Sequence, residues 1–338
     1  MQDPSIHAPR IACAQAQPNI ALVKYWGKRE GSLNLPASGS LSVTLEALHT
    51  RTVVAFDPAL ERDELWRDGA EHAAESERVA GFLDLLRARA GSDLHARVTT
   101  HNNFPTGAGL ASSASGFAAL AVAGSAALGL ALEPRELSAL ARRGSGSAAR
   151  SIFGGFVCMD KGVREDGADA CARPLLDGTQ WPLCVVVAVT STAIKAVGSG
   201  PGMEISRRTS PFHAAWLEGA QDDLVAAGHA ITARDFAALA QVSEHSCLKM
   251  HAVMLASQPA LVYWNGATVE CLHVIRSLRE RDGLGVFFTI DAGPQVKAVC
   301  LPQDAGRVAE ALRTVAGVQT VLVSGLGAGA RLIAAELA

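Results

Sequence analysis

The chain has 338 residues, 49% of them hydrophobic, and a formal net charge of −3. That length suits two domains or one large one, and the apolar fraction can fill a sizeable core, which argues against disorder. Lys/Arg and Asp/Glu are interleaved without a basic stripe, so nothing points to nucleic acid, and an anionic ligand must be held by a local cluster.

The seven cysteines (Cys13, Cys158, Cys171, Cys184, Cys247, Cys271 and Cys300) form no C-x-x-C pair. That favours a reducing cytoplasm over a disulfide scaffold or a zinc site. Residues 1–10 read as a lead-in without the features of a signal peptide, and the alanine-rich apolar runs are broken by Gly, Ser or charge, so no membrane span is expected. Residues 20–23 are strand-like and run into Lys24-Tyr-Trp-Gly-Lys-Arg-Glu30. Such a knot is either an amphipathic surface turn or a place where lysines converge on an anion while bulky rings exclude water. Residues 41–45 and 52–56 are β-rich and read as paired strands. A polar connection surrounds Trp66. Val79, Phe82, Leu83 and Leu86 recur at helical spacing, predicting an amphipathic helix over 75–90. Residues 94–100 form a further strand.

That strand leads into Asn102-Asn-Phe-Pro-Thr-Gly-Ala-Gly-Leu-Ala-Ser-Ser-Ala-Ser-Gly116. Pro105 and Thr106 end the extended approach, and Gly107 and Gly109 free the backbone for a tight loop. An Ala-rich helix follows over 110–130, with Ser112, Ser113 and Ser115 at or near its start. A helix N-terminus presents unpaired N–H groups and the positive end of the dipole, which suits phosphate. Serine hydroxyls there can donate to phosphate or face a magnesium ion. The same shape also serves as ordinary capping. It is not a Walker A loop, because no Gly-Lys-Ser/Thr closes it, and the G-x-G-x-x-G spacing is absent.

A short helix over 134–143, with Pro134 near its start, stops at Gly144-Ser-Gly-Ser147. By composition that run is a linker. It leads directly into an Arg-bearing apolar turn and a strand over 155–160, which argues for an ordered loop. Residues 163–176 form a hairpin or loop, and 183–190 an apolar strand. Composition shifts after it, placing a domain boundary near 185–200. Helices are expected over 204–227, 234–254 and 267–280. His245 and His251 lie six apart, which suggests no metal pair, and are expected at the core edge or facing solvent. A strand over 286–290 delivers Asp291-Ala-Gly-Pro294. Asp291 is either a turn cap or a catalytic base or orienting group on a rigid edge. A strand (296–301), a helix (304–315) and a strand (320–324) close the chain.

Several of these phrases carry a resemblance. Pro105-Thr-Gly-Ala-Gly-Leu-Ala-Ser-Ser113 resembles the ATP-phosphate loop of the GHMP kinases, and the leading Asn102-Asn-Phe-Pro105 one branch of them, the diphosphomevalonate decarboxylases. Asn19-Ile-Ala-Leu-Val-Lys-Tyr-Trp-Gly-Lys-Arg29, Arg143-Gly-Ser-Gly-Ser-Ala-Ala-Arg-Ser-Ile-Phe-Gly-Gly155 and Phe288-Thr-Ile-Asp-Ala-Gly-Pro294 look like phrases of that branch, in its order. Ser199, Gly202 and Met203 match a further one.

The resemblance covers nearly the whole chain. It implies an α+β, two-domain GHMP kinase fold (1–190 and 191–338) with a ferredoxin-like C-terminal domain and an active site in the cleft between domains. It implies ATP and Mg2+, with phosphates on Pro105, Gly107, Ala108, Gly109, Leu110, Ala111, Ser112 and Ser113, and the metal at Ser113. Tyr25, Lys28, Asn34, Ser145, Ser147, Ser199 and Met203 would contact the substrate. Arg150 would clamp the substrate carboxylate, for which a guanidinium fork is suited. Lys24 and Asp291 would complete the catalytic set. The implied reaction is ATP-dependent decarboxylation of (R)-5-diphosphomevalonate to isopentenyl diphosphate through phosphorylation of the 3-hydroxyl. A cytoplasmic homodimer, without membrane or nucleic acid, goes with it.

The sequence departs from the family pattern in places. Ser38 and Gln295 stand where Asn is common, Gly198 replaces a Ser, and Gly200 occupies a position often larger or basic. Ser38, Gly198 and Gly200 keep open a 5-phosphomevalonate decarboxylase. A 3-kinase is disfavoured by the presence of both Lys24 and Asp291. A catalytically silent GHMP-fold binding protein is the reading from another class, and intact Lys24, Ser113, Arg150 and Asp291 argue against it.

Overall fold

The computed structural model describes residues 10–104 and 111–334. The first half of the chain runs β1 (Arg10–Ala16), β2 (Asn19–Val23), β3 (Lys28–Glu30), β4 (Leu35–Pro36), β5 (Ser40–Thr44), β6 (Thr50–Phe56), β7 (Glu64–Arg67), β8 (Ala70–Glu71), α1 (Ala73–Ala90), β9 (Ala96–Asn102), α2 (Ser112–Ala127), α3 (Pro134–Gly144), α4 (Ala148–Ser151), β10 (Phe156–Met159) and β11 (Ala172–Leu176). The second half runs β12 (Cys184–Val189), α5 (Ser199–Thr209), α6 (His213–Ala233), α7 (Phe236–Leu255), α8 (Gly266–Glu280), β13 (Val286–Ile290), β14 (Val296–Cys300), α9 (Ala305–Arg313), β15 (Thr320–Ser324) and β16 (Arg331–Ile333).

β6 alternates: Thr50, Thr52, Val54 and Phe56 are buried, and Arg51 is exposed. The strand therefore offers one face to a core. It lies within a six-stranded sheet ordered β16-β1-β6-β9-β7-β8. α2 packs on that face. Its alanines let the helix approach closely, so Ala118, Ala119, Ala121 and Ala123 are buried with Ala14, Val54 and Phe56. A Cβ on Gly124 would run into Leu86 of α1. Each large side chain fully buried here, such as Phe56 or Leu86, contributes about 1.5–3 kcal/mol.

β2 and β5 are buried at every position and belong to a second sheet, ordered β11-β10-β5-β2. The expected pairing of 41–45 with 52–56 does not form. β5 pairs with β2 and β10, whereas β6 pairs with β1 and β9. β5 is buried on both faces, which the one-faced sheet of β6 does not supply.

The second half builds an antiparallel sheet ordered β13-β14-β12-β15. Taken by order of appearance the strands lie 2-3-1-4 and are joined β-α-β-β-α-β, a ferredoxin-like arrangement. β12 divides its side chains between two cores. Val186 and Ala188 meet Ile275, Phe288, Val308 and Leu312 beneath α8 and α9. Val185, Val187 and Val189 meet Ile20, Leu22, Leu41, Val43 and Phe156 of the first half, with Leu224 and Ile231 of α6. The halves thus share one core. β12, which a 1–190 division assigns to the first half, hydrogen-bonds within the sheet of the second, and β16 returns to the edge of the first sheet beside β1.

The helix expected over 204–227 is two helices. α5 begins at Ser199 and stops at Thr209, and Pro211, lacking an N–H, precedes α6. α7 is capped by Asp235, whose carboxylate accepts from Ala238 N at 3.0 Å.

Candidate active site

α7 organises one wall of a cleft of about 350 Å3 between the halves. Its Ser246 Oγ accepts from the backbone N of Lys24, which follows directly on β2, at 3.0 Å. A register irregularity between Ala21 and Val23 accompanies this end of β2. Ala21 O accepts from Lys24 Nζ (2.9 Å) and from Thr289 Oγ1 of β13 (3.0 Å), so one carbonyl ties the two halves together.

β13 is an edge strand, and its outward N–H groups need partners. α7 supplies them: Glu244 Oε1 accepts from Phe288 N at 3.1 Å, and Cys247 Sγ from Ile290 N at 3.2 Å. The strand is thereby fixed one residue before Asp291. Asp291 Oδ1 lies 2.8 Å from Lys24 Nζ, and Oδ2 lies 3.4 Å from Lys297 Nζ of β14, an ion-pair distance rather than a tight hydrogen bond. Burial opposes ionisation of Asp291. The charges of Lys24 and Lys297, with their hydrogen bonds, outweigh it and hold the carboxyl well below the usual carboxylate range. A quarter of the Asp291 side chain is exposed.

Arg150, on α4, is buried. Its Nε donates to Asn19 Oδ1 at 3.1 Å and its Nη1 to Ser40 Oγ at 2.6 Å. Among the described residues no carboxylate forms an ion pair with it. Burial pushes the guanidinium down to about 10, with Asp291 partly offsetting this. A buried cation with neutral partners is primed for an anionic ligand. Tyr25 lies beside it. Burial raises its phenol to about 12, and its OH has no hydrogen-bond partner among the described residues. A Cβ on Gly146 would strike the Tyr25 ring, so the Gly-Ser run is a packed corner rather than a linker. Ser145 Oγ lies 3.3 Å from Ser147 Oγ and 3.5 Å from Ser113 Oγ.

The rest of the cleft comes from separate elements. Lys28 is half-buried, and burial together with Arg78 pushes its ammonium below the ordinary lysine value, against an upward pull from Glu30. Asn34, at φ +52°, donates from Nδ2 to Arg143 O at 2.7 Å. Ser199 Oγ accepts from Lys195 Nζ at 2.8 Å, and the same ammonium donates to Ala292 O at 2.9 Å. Met203 packs with Trp26 and Met250 along the lining. Ser38 is buried outside it. Ala111, Ser112 and Ser113 line the cleft, whereas Pro105, Gly107, Ala108, Gly109 and Leu110 lie outside the described residues. Ala111, the N-cap of α2, takes φ +58° and makes no side-chain cap. A second cleft, also about 350 Å3, is walled by Thr50, Thr52, Val98, Asn102 and Phe117 and shares Arg78, Ser112 and Ser113 with the first. An extended ligand can therefore pass from one to the other across the start of α2.

Comparison with known proteins bears on this arrangement. The diphosphomevalonate decarboxylase-like N-terminal domain family matches residues 16–172, and the mevalonate 5-diphosphate decarboxylase C-terminal domain family matches 185–326. The diphosphomevalonate decarboxylase of Aspergillus fumigatus is 37% identical over 91% of this chain and 81% of its own. The chain belongs to the diphosphomevalonate decarboxylase family.

Solved structures of the family superpose on it throughout. Mevalonate diphosphate decarboxylase from Staphylococcus aureus gives a TM-score of 0.91 at 37% identity, covering 96% of this chain and 98% of that one. MDDEF, solved in complex with MVAPP, AMPPCP and magnesium, gives 0.89 at 36%, covering 96% and 99%. The fold is that of the GHMP kinases.

At or beside the cleft the structure also places Arg78, Lys195, Lys297 and the Asn19 side chain, to which the sequence alone assigns no role. Lys297 left a trace, as the charge inside the otherwise apolar Val296–Cys300 strand. Arg78, on α1, reads as an ordinary surface position. Gln295, one of the departures, has a structural use: its Oε1 accepts from Thr190 N at 2.7 Å and its Nε2 donates to Ser191 O. His251 was expected at the core edge or in solvent but is buried, because its ring packs against Trp264 with centroids 4.6 Å apart. No cluster of three or more His, Cys, Asp or Glu suited to a metal occurs among the described residues, and no described helix is long and apolar enough to cross a membrane.

Proposed function

We propose that the protein catalyses ATP-dependent decarboxylation of (R)-5-diphosphomevalonate to isopentenyl diphosphate, releasing ADP, phosphate and CO2. The observation that carries this reading is the meeting, in one cleft, of a buried guanidinium (Arg150) with no ion-pair partner among the described residues, the Lys24–Asp291 salt bridge and the start of α2. MDDEF, a structural neighbour bound to MVAPP, AMPPCP and magnesium, supports the same ligands here.

In this reading ATP lies along the second cleft, its phosphates reaching Ser112 and Ser113. Lys28, Tyr25, Asn34, Ser145, Ser147 and Ser199 hold the substrate tail, Met203 packs beside it, and Arg150 clamps its carboxylate. The Tyr25 OH, lacking a protein partner, is available to a phosphate oxygen. Asp291 orients the tertiary 3-hydroxyl, with Lys24 beside it. The hydroxyl oxygen attacks the γ-phosphorus as its proton passes to an oxygen of the transferred phosphoryl group, the bond to the β-phosphate oxygen breaks, and ADP departs. The C3–O bond then breaks, its electron pair leaving with phosphate, and C3 gains cationic character. The C1–C2 bond supplies the electrons of the new C2=C3 bond, and CO2 leaves. Hydroxide is a poor leaving group, which is why phosphorylation comes first. Catalysis is chiefly positioning and charge stabilisation.

The oxygen-rich donor set of Ser113, Ser145 and nucleotide phosphates fits Mg2+, which favours oxygen ligands and keeps few protein contacts. Bound there, Mg2+ would neutralise charge on the transferring phosphate. A cytoplasmic setting and homodimerisation are part of the same family reading, and sedimentation of the purified protein tests the latter.

The test is parallel release of ADP and CO2 from mevalonate, its 5-phosphate and its 5-diphosphate with ATP and Mg2+. Equal amounts from the diphosphate alone are expected. Silence with all three overturns the reading in favour of a binding protein. A second reading, 5-phosphomevalonate as substrate, rests on Gly198 and Gly200, which put no side chain where the tail ends. Preference for the monophosphate would establish it.

A further inference from the structure

We propose that Lys297 is a positioning residue of the active site: it completes a Lys24–Asp291–Lys297 triad that keeps Asp291 a fixed anion during turnover. The inference rests on the catalytic reading of Asp291 above.

Lys297 is fully buried and absent from the cleft lining, so it acts through another group. β14 is otherwise apolar, with Val296, Ala298, Val299 and Cys300 all buried. A buried charge is costly, and replacing a buried ion pair by apolar residues often stabilises a protein. Fold stability therefore does not account for a lysine here. The register supplies a reason. Lys297 stands opposite Thr289, two residues before Asp291 on the neighbouring strand, which puts its side chain on the face from which Asp291 projects.

The two carboxylate oxygens of Asp291 are divided, Oδ1 to Lys24 at 2.8 Å and Oδ2 to Lys297 at 3.4 Å. With one ammonium the carboxylate could turn about its last bond. With one on each oxygen it is held from both sides, by a hydrogen bond at Oδ1 and a longer ion-pair contact at Oδ2. Lys24 is pinned in turn by Ala21 O, so the whole triad is anchored to the backbone.

The surrounding groups reinforce the anion. Arg150 from α4 and Lys195 from the segment before α5 both act on Asp291 as cations. From α7, Cys247 and His251 approach. Burial raises the Cys247 thiol, and burial with Lys24 lowers His251 to about 3, so both are neutral at physiological pH. Among the described residues no other carboxylate forms part of this group. Burial pushes the Lys297 ammonium down and the charge of Asp291 opposes this; with Lys297 held as an ammonium the triad favours the ionised state of Asp291.

The test reads the Asp291 carboxyl directly. In protein with 13C-labelled aspartate, the Asp291 resonance, assigned through Asp291→Asn, is followed from pH 7.5 to 4. We expect no titration in the wild type. In Lys297→Met, which keeps length without charge, a titration step of Asp291 should enter that window. The acid limb of kcat should move with it, KM for the substrate should change little, and Lys297→Arg should restore the wild-type profile. A titration of Asp291 between pH 7.5 and 4 in the wild type overturns the proposal, as does the absence of any titration step in that window in Lys297→Met. Should Lys297→Met fail to fold, 15N spectra of the wild-type Lys297 side chain decide: an ammonium at pH 7 supports the triad and a neutral amine overturns it. None of these spectra requires turnover, so silence of the wild type in the ADP and CO2 assay would count against the reaction alone.

Discussion

Lys24 Nζ lies 2.8 Å from Asp291 Oδ1, although the two are 267 residues apart in the chain. The pair joins the end of the buried β2 to the tip of β13. Asp291→Asn keeps the shape and removes the charge. Turnover is expected to fall by about 10²–10³-fold, the range for loss of one preorganised electrostatic contact in an active site. Nucleotide affinity, set at the start of α2, should stay near the wild-type value. Breaking a buried ion pair costs about 3–5 kcal/mol, and exposure of Asp291 to the cleft places the loss toward the lower end. Single-turnover kinetics, nucleotide titration and denaturant unfolding measure the three effects. Near-normal turnover would remove Asp291 from the mechanism.

Arg150 gives a sharper chemical test, because its Nε and Nη1 are already committed to Asn19 and Ser40. Only a planar fork can serve those partners and a carboxylate together. Arg150→Lys is therefore expected to behave like Arg150→Gln, with kcat/KM lowered about 30-fold or more, from the roughly 2–5 kcal/mol of a truncated buried charge contact. Asn19→Ala should show a weaker form of the same defect. Recovery of activity in Arg150→Lys would show that charge alone suffices.

Gly146→Ala probes the corner where Tyr25 sits. The added methyl meets the ring, and overpacking of this kind costs about 1–3 kcal/mol. The Tyr25 ring must move from the cleft wall, so KM for the substrate should rise while KM for ATP holds. Equal changes in both would place the strain elsewhere.

Much of this architecture is legible in the sequence, because it is local. The period of α1, the apolar runs of β12 and β13 and the phrases around Lys24, Arg150 and Asp291 each declare themselves within about ten residues. Pairing across the chain is not local. Two β-rich runs separated by a short connection read as a hairpin, yet β5 and β6 enter different sheets, since only burial on both faces tells them apart. The break between α5 and α6 was signalled by Pro211, but the helical period continues through it and masks it. Lys297 and Arg78 acquire meaning only through neighbours on other elements: a register for one, a junction of clefts for the other.

His251 makes the fold sensitive to acid. Burial first, and then the Lys24 charge, lower its imidazole to about 3, against an ordinary value near 6.5. The unfolded chain therefore binds a proton that the native state refuses between those values. Stability from this group is complete above pH 6.5 and is lost as pH falls toward 3, by up to about 1.4 kcal/mol per pH unit. Its Nε2 lies 3.3 Å from both Ile290 O and Trp264 Nε1, and a single nitrogen cannot accept and donate at once, so the neutral ring serves one of them at a time. Urea unfolding at pH 7.5, 6 and 5 is expected to show that slope, and His251→Gln to flatten it. An unchanged slope in the variant would assign the acid sensitivity to other groups.

Gly200 decides how the tail of the substrate is read. A Cβ built there meets nothing within 4 Å, so no close approach demands glycine. The position faces both the main cleft and an adjoining chamber of about 480 Å3 that also receives Lys28, Arg78 and Arg143. A guanidinium placed at 200 would join those cations around the terminal phosphate. Charge-assisted hydrogen bonds contribute about 1.5–3 kcal/mol, so Gly200→Arg should lower KM for the 5-diphosphate by about tenfold or more. The 5-phosphate, which ends short of the chamber, should gain less. Gly200→Ala, within the first turn of α5, should raise the melting temperature slightly without changing either KM. Equal gains for both substrates would show that the first phosphate already reaches residue 200. No gain for either would place the tail along Ser145 and Ser147 instead, away from the chamber.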